Sequence, residues 1–106
     1  MNRLIAFCIA VATIIISIAA HGEPRHTYKP KEGYVPDAET AIAIAVAVWN
    51  PIYGKDHIAQ KAPFTATLTH GIWTVKGSLP PHSLGGVPEA DIAKTDARIL
   101  RVTHGK

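Results

Sequence analysis

The chain has 106 residues, which is room for one small domain. Hydrophobic residues make up 47% and charged residues 18%, which excludes a disordered or fibrous chain. One cysteine excludes a disulfide scaffold and a cysteine-type zinc site, and a net charge of +3 is too small to indicate nucleic acid as a partner.

Arg3 precedes an uncharged, mostly apolar run from Leu4 to Ile18, and small residues follow at Ala19, Ala20 and Gly22. That order is the layout of a secretory signal peptide. The alternative is an uncleaved anchor, for which the run is short against roughly 30 Å of hydrocarbon. Residues 1–20 are accordingly read as a signal peptide, with the mature N-terminus between Ala20 and Glu23. The product is expected in the periplasm, free of the membrane after cleavage. Cys8 lies inside the run and leaves with it, so the exported domain must be held by its core alone. Residues 21–36 carry Pro24, Pro30, Gly33 and Pro36 among polar residues. They read as an extended leader, with Tyr28 and Tyr34 as its attachments to the domain surface.

Residues 37–106 read as a single α+β domain. Asp37 is placed to cap a helix, and Glu39 adds negative charge at the positive end of its dipole. The alternation of Ala with Ile and Val from Ala41 to Trp49 also fits a strand, but the helical projection accounts for every position. It gathers Ile42, Val46, Trp49 and Tyr53 as the inward face, with Ile44, Val48 and Ile52 adjoining. Glu39, Thr40, Ala43, Ala47 and Asn50 form the opposite, slim face. Pro51 marks a bend or an end, and Gly54 completes the stop. Lys55 to Ala62 predicts a brief helical turn around Ile58. A meander follows. Phe64–Thr69 turns at His70-Gly71 into Ile72–Gly77, with Trp73 and Val75 inward. The loop Ser78–Gly86 leads to Val87–Ala93, with Ala90 and Ile92 inward. Lys94–Ala97 turns the chain into Arg98–Thr103, with Leu100 and Val102 inward. The expected fold is one long N-terminal helix on an antiparallel meander of three to four strands, in two layers.

Candidate chemistry is sparse. His21, His26, His57, His70, His82 and His104 sit on separate elements without i,i+4 spacing, so no metal site is predicted. No cofactor is predicted either. His82 and Ser83 are neighbours in sequence, which does not make a catalytic pair. Glu89 and Asp91 lie two apart on one strand and face the same way, which fits either acid–base work or a solvated outer face. Lys94, Arg98 and Arg101 have no interleaved aromatic residues, so base stacking is unsupported. No catalytic residue is assigned.

Two stretches carry a family likeness. Pro36-Asp37-Ala38-Glu39-Thr40-Ala41-Ile42 runs on to Ala47-Val48-Trp49-Asn50-Pro51-Ile52-Tyr53-Gly54, and the likeness continues through Lys61-Ala62-Pro63-Phe64-Thr65-Ala66-Thr67-Leu68, Gly71-Ile72-Trp73-Thr74-Val75-Lys76-Gly77-Ser78-Leu79-Pro80, Gly85-Gly86-Val87 and Ile92-Ala93-Lys94 to Ala97-Arg98-Ile99-Leu100-Arg101-Val102-Thr103-His104-Gly105-Lys106. From about Val35 to Lys106 the chain resembles small bacterial immunity proteins of the nuclear-transport-factor-2-like fold. The resemblance implies a non-enzymatic inhibitor of a cognate protein toxin, on a cystatin-like or nuclear-transport-factor-2-like scaffold. Two departures stand beside it. The superfamily's larger curved sheet and three helices exceed what the mature chain can supply, and Ala97 stands at a turn position that glycine adopts more easily. A weaker similarity, to peptidase-associated inhibitory modules, implies an exported binding or inhibitory module instead.

The partner-binding element expected from the sequence is the loop Leu79–Gly86. Pro80 and Pro81 stiffen it, which lowers the entropy cost of docking. Leu79, His82 and Leu84 offer mixed apolar and polar contacts, and Gly85 and Gly86 permit the return to the next strand. The alternative contact surface is the slim helix face with Ala43 and Ala47, where side chains allow close approach.

Overall fold

The computed structural model describes residues 26–106. The expected signal peptide and its expected cleavage position, together with Cys8 and the start of the expected leader, lie outside the described residues. The elements follow in the order α1 (Ala38–Tyr53), α2 (Lys55–Ala59), β1 (Thr65–Thr69), β2 (Ile72–Lys76), β3 (Pro88–Ala93) and β4 (Ile99–His104). The four strands form one antiparallel sheet in the order β1-β2-β3-β4, and α1 packs across β1, β2 and β3. This is the two-layer α+β arrangement read from the sequence, with a helix of 16 residues, about 24 Å long.

Asp37 caps α1 as expected, its carboxylate accepting the Thr40 N–H at 2.8 Å. That bond holds the Asp37 carboxyl below its usual range. The rotation of the helix differs from the sequence reading. Its centre line is Ala41, Ala45 and Trp49, all with no exposed surface. Ile42, Val46 and Tyr53 flank this line half-buried on one side, and Ile44 does so on the other, while Ile52 is exposed. Alanine methyls at the centre let the helix axis approach the sheet, and the larger side chains then straddle the contact. Placing the largest residues at the middle would hold the two layers apart. The slim face with Ala43 and Ala47 is exposed, as read. Pro51 does not end α1, which runs on to Tyr53, and the Gly54 N–H closes it on the Asn50 carbonyl at 2.9 Å. Proline's fixed φ is compatible with a helix, and the burial of Trp49 just before it offsets the preference against helix at Asn50.

The β1–β2 hairpin turns through His70 and Gly71 with φ of 50° and 76°. Positive φ at both central positions is the twist-matched two-residue turn expected from His-Gly. Trp73, Val75, Ala90 and Ile92 face α1 and are buried. Leu100, read as inward, is 43% exposed, and Leu68 is 42% exposed. Both lie on edge strands, and Leu100 is the extra residue of a bulge. Ile92 pairs with Ile99 while Asp91 pairs with Arg101, which leaves Leu100 unpaired between them. Ala97 takes φ of 65°, the left-handed conformation anticipated at that turn.

The end of the leader belongs to the core. Val35 is fully buried, whereas Tyr28 and Tyr34 are 75% and 40% exposed. The Tyr34 and Val35 N–H groups donate to the Thr95 and Lys94 carbonyls at 3.0 Å, and Trp73 Nε1 donates to the Val35 carbonyl at 2.8 Å. The segment is therefore held by backbone pairing and Val35, not by the tyrosine rings.

Candidate functional site

The loop Leu79–Gly86 stands on firm anchors. Before it, the Ser78 N–H donates to the Lys61 carbonyl at 2.6 Å and the Ser78 hydroxyl to the Pro63 carbonyl at 2.5 Å. After it, the Gly105 N–H donates to the Val87 carbonyl at 3.2 Å, which binds the loop's exit to the chain end beyond β4. Within it, the Ser83 N–H donates to the Pro80 carbonyl at 3.2 Å, and His82 takes φ of 64°. Proline at the second turn position and positive φ at the third describe a type II turn. The sequence expected prolines to stiffen the loop, but not that a histidine would occupy the left-handed position. Leu84 is 98% exposed and Leu79 is 37% exposed. His82 and Gly85 are exposed, and Gly86 is half-buried against the backbone of Gly105. The loop thus presents a bare leucine on a braced scaffold, an arrangement suited to contact rather than to chemistry.

The outer face of the sheet carries the polar residues. Register aligns Thr65, Lys76, Glu89 and Thr103 in one row and Thr67, Thr74, Asp91 and Arg101 in the next. Arg101 Nη2 donates to Glu89 Oε2 and Arg101 Nε to Asp91 Oδ2, both at 2.8 Å. Thr74 Oγ1 donates to Asp91 Oδ1 at 2.8 Å, and Lys76 Nζ lies 3.5 Å from Glu89 Oε1. The Arg101 hydrogen bonds lower the Glu89 and Asp91 carboxyls against the opposing effect of burial, with Lys76 adding to the lowering. The same bonds raise the Arg101 guanidinium. The two carboxylates do share a face, as read, but they are ionised partners of a guanidinium. A general acid would need a raised carboxyl.

A cavity of about 340 Å³ opens between the C-terminal half of α1, α2 and the entry to β1. Its walls are mainly apolar, from Val46, Ile58, Ala62 and Phe64, with Lys55 and Asn50 also lining it. Sequence reasoning did not find it, because it is made where α1, α2 and the segment before β1 converge.

Sequence reasoning also missed one pair of side chains. His57 on α2 and His104 on β4 meet with Nε2 atoms 3.0 Å apart. No local signal joins residues so distant in the chain; only the register of β4, which turns His104 toward the helix layer opposite Pro88, brings them together. His70 and His82 lie on separate turns. Among the described residues no group of three or more His, Cys, Asp or Glu gathers to hold a metal ion.

Comparison with known proteins gives two likenesses. A family model described as NTF2 fold immunity protein matches residues 40–106, from the first turn of α1 to the chain end. The uncharacterised protein YhhH of Escherichia coli strain K12 is 36% identical over 55 residues. That match covers 51% of this chain and 43% of YhhH, so the chain spans less than half the length of that relative. No solved structure matches.

Proposed function

The chain belongs to the NTF2 fold immunity protein family, and from that premise we propose that it binds a cognate protein toxin and neutralises it by covering the toxin's working surface, without catalysis of its own. The proposed place of action is the periplasm, on the strength of the signal-like residues 1–20. Family membership carries the immunity role. The structural observation that carries the contact surface is Leu84, an almost fully exposed leucine on a loop braced at both ends. An apolar side chain held out by a stiff loop loses little entropy on docking and gains its burial only in a complex. The slim α1 face with Ala43 and Ala47 is the second candidate surface.

The test is co-expression with any toxin-like protein found encoded beside this chain's gene. The proposal expects growth to be restored by the chain and a complex to be recovered from the periplasmic fraction. Unrelieved toxicity together with no complex in that fraction would remove it. The cavity at Val46, Ile58 and Phe64 favours a second reading, a binding module for a small apolar ligand. A thermal-shift screen of envelope metabolites tests that reading, because a bound ligand raises apparent stability by mass action.

A further inference from the structure

The His57–His104 pair has features that the immunity reading does not use. His104 Nδ1 lies 2.7 Å from the Gly105 carbonyl oxygen. A carbonyl only accepts, so Nδ1 carries the proton and Nε2 of His104 presents its lone pair. The facing His57 Nε2, 3.0 Å away, is then the donor of a single N–H···N bond. The Tyr53 ring packs edge-on against His104, with centroids 5.0 Å apart and planes at 62°. Each imidazole is fixed by a different element. Ile58, next to His57, is buried in the core, and His104 pairs with Pro88 across the β3–β4 ladder.

We propose that His57 and His104 form a two-imidazole site for a divalent transition cation, held more tightly for Cu²⁺ than for Zn²⁺. Nitrogens at about 2.0–2.1 Å from a cation stand roughly 2.9 Å apart on adjacent corners of the square plane that Cu²⁺ prefers and roughly 3.3 Å apart on a tetrahedral Zn²⁺, so the 3.0 Å pair needs little movement for either. The Gly105 carbonyl on the far nitrogen of His104 is the kind of outer partner that fixes a histidine ligand's tautomer and orientation. On binding, His57 loses its Nε2 proton to solvent and takes one up at Nδ1. Both rings stay neutral and no net proton is released. Water completes the coordination shell, and imidazole donors order the cations with copper above zinc. The cation would tie α2 to the end of β4, beside the exit of the Leu79–Gly86 loop. The inference stands apart from the immunity role, which needs no metal.

The test uses the full chain purified without a histidine tag and titrated with Cu²⁺ at neutral pH, followed by calorimetry and electron paramagnetic resonance. The expected result is a saturable site whose spectrum shows coupling to two imidazole nitrogens. His57→Gln and His104→Gln should each weaken that site about tenfold or more and remove one nitrogen from the pattern, while His70→Gln leaves both unchanged. Imidazole ¹⁵N spectra of the unmutated chain give an answer that does not depend on how the variants fold. Added Zn²⁺ should move the Nε2 signals of His57 and His104 ahead of the other histidines. Saturation and nitrogen pattern unchanged in both variants, or Zn²⁺ leaving those two rings unmoved, would overturn the site and leave a simple hydrogen-bonded pair.

Discussion

The indole nitrogen of Trp73 donates to the backbone carbonyl of Val35 at 2.8 Å inside the core. This bond joins the middle of the sheet to the irregular segment before α1. Trp73→Phe keeps much of the ring volume but leaves a buried carbonyl without a donor, and is expected to cost about 1–3 kcal/mol. Trp73→Ala also opens a cavity and should cost about 3–5 kcal/mol, a large share of the stability of so small a domain. Urea unfolding measures both, and an unchanged midpoint in either variant would place Trp73 outside the core.

The alanine centre line of α1 makes a paired prediction. Ala45 has no exposed surface, and Ala43 two residues earlier is exposed. Ala45→Leu forces the helix away from the sheet and should destabilise the domain by about 1–3 kcal/mol. Ala43→Leu should stay within about 0.5 kcal/mol. The opposite order, in denaturant midpoints, would place Ala43 rather than Ala45 against the sheet and overturn the alanine centre line.

Arg101 couples stability to pH through Glu89 and Asp91. Both carboxyls are held below their ordinary values of 4.5 and 3.8 by its hydrogen bonds. A carboxyl lowered on folding binds fewer protons in the folded state than in the unfolded one. Its contribution is therefore fully present above pH 4.5 and is lost as pH falls through the lowered values. Arg101→Gln should flatten this acid limb and move both carboxyl titrations upward, as read by carboxyl NMR. Added salt should weaken the effect in the parent chain, since the guanidinium is half-exposed. An acid limb of unchanged slope in Arg101→Gln would disconnect it from these residues.

Gly86 has no room for a side chain, because a Cβ there would overlap the backbone of Gly105. Gly86→Ala must push the loop exit off the end of β4 and should cost about 1–3 kcal/mol. Amide exchange should rise at Gly105, whose N–H donates to the Val87 carbonyl across the contact. Gly85→Ala, with open space around it but φ of 115°, is strained by its backbone alone and should leave the Gly105 amide protected. Equal exchange in the two variants would count against this reading of the junction.

The loop can be separated from the helix face by affinity. Changing Leu79, His82 and Leu84 together to Ser should weaken the complex with the captured toxin more than tenfold, about 1.4 kcal/mol or more, with folding intact. Ala43→Glu should have little effect. The reverse result, measured by calorimetry, would move the contact surface to α1.

The sequence by itself determined the order and kind of the elements. Asp37 before an apolar run, His70-Gly71 between two alternating segments, and Pro80-Pro81 with Gly85-Gly86 are local signals, and each acts through a few adjacent residues. The family likeness was legible too, since it rests on consecutive residues. Only the tertiary structure decided how the layers meet. Packing density placed Ala41 and Ala45, not Ile42 and Val46, at the centre of the helix contact. The bulge at Leu100 set the register of β4, and with it the union of Arg101 with Glu89 and Asp91. The same register carried His104 to His57, and the pairing of Val35 with Lys94 drew the leader into the core. Each of these depends on residues far apart in the chain, whose meeting is fixed by close packing and strand register rather than by local pattern.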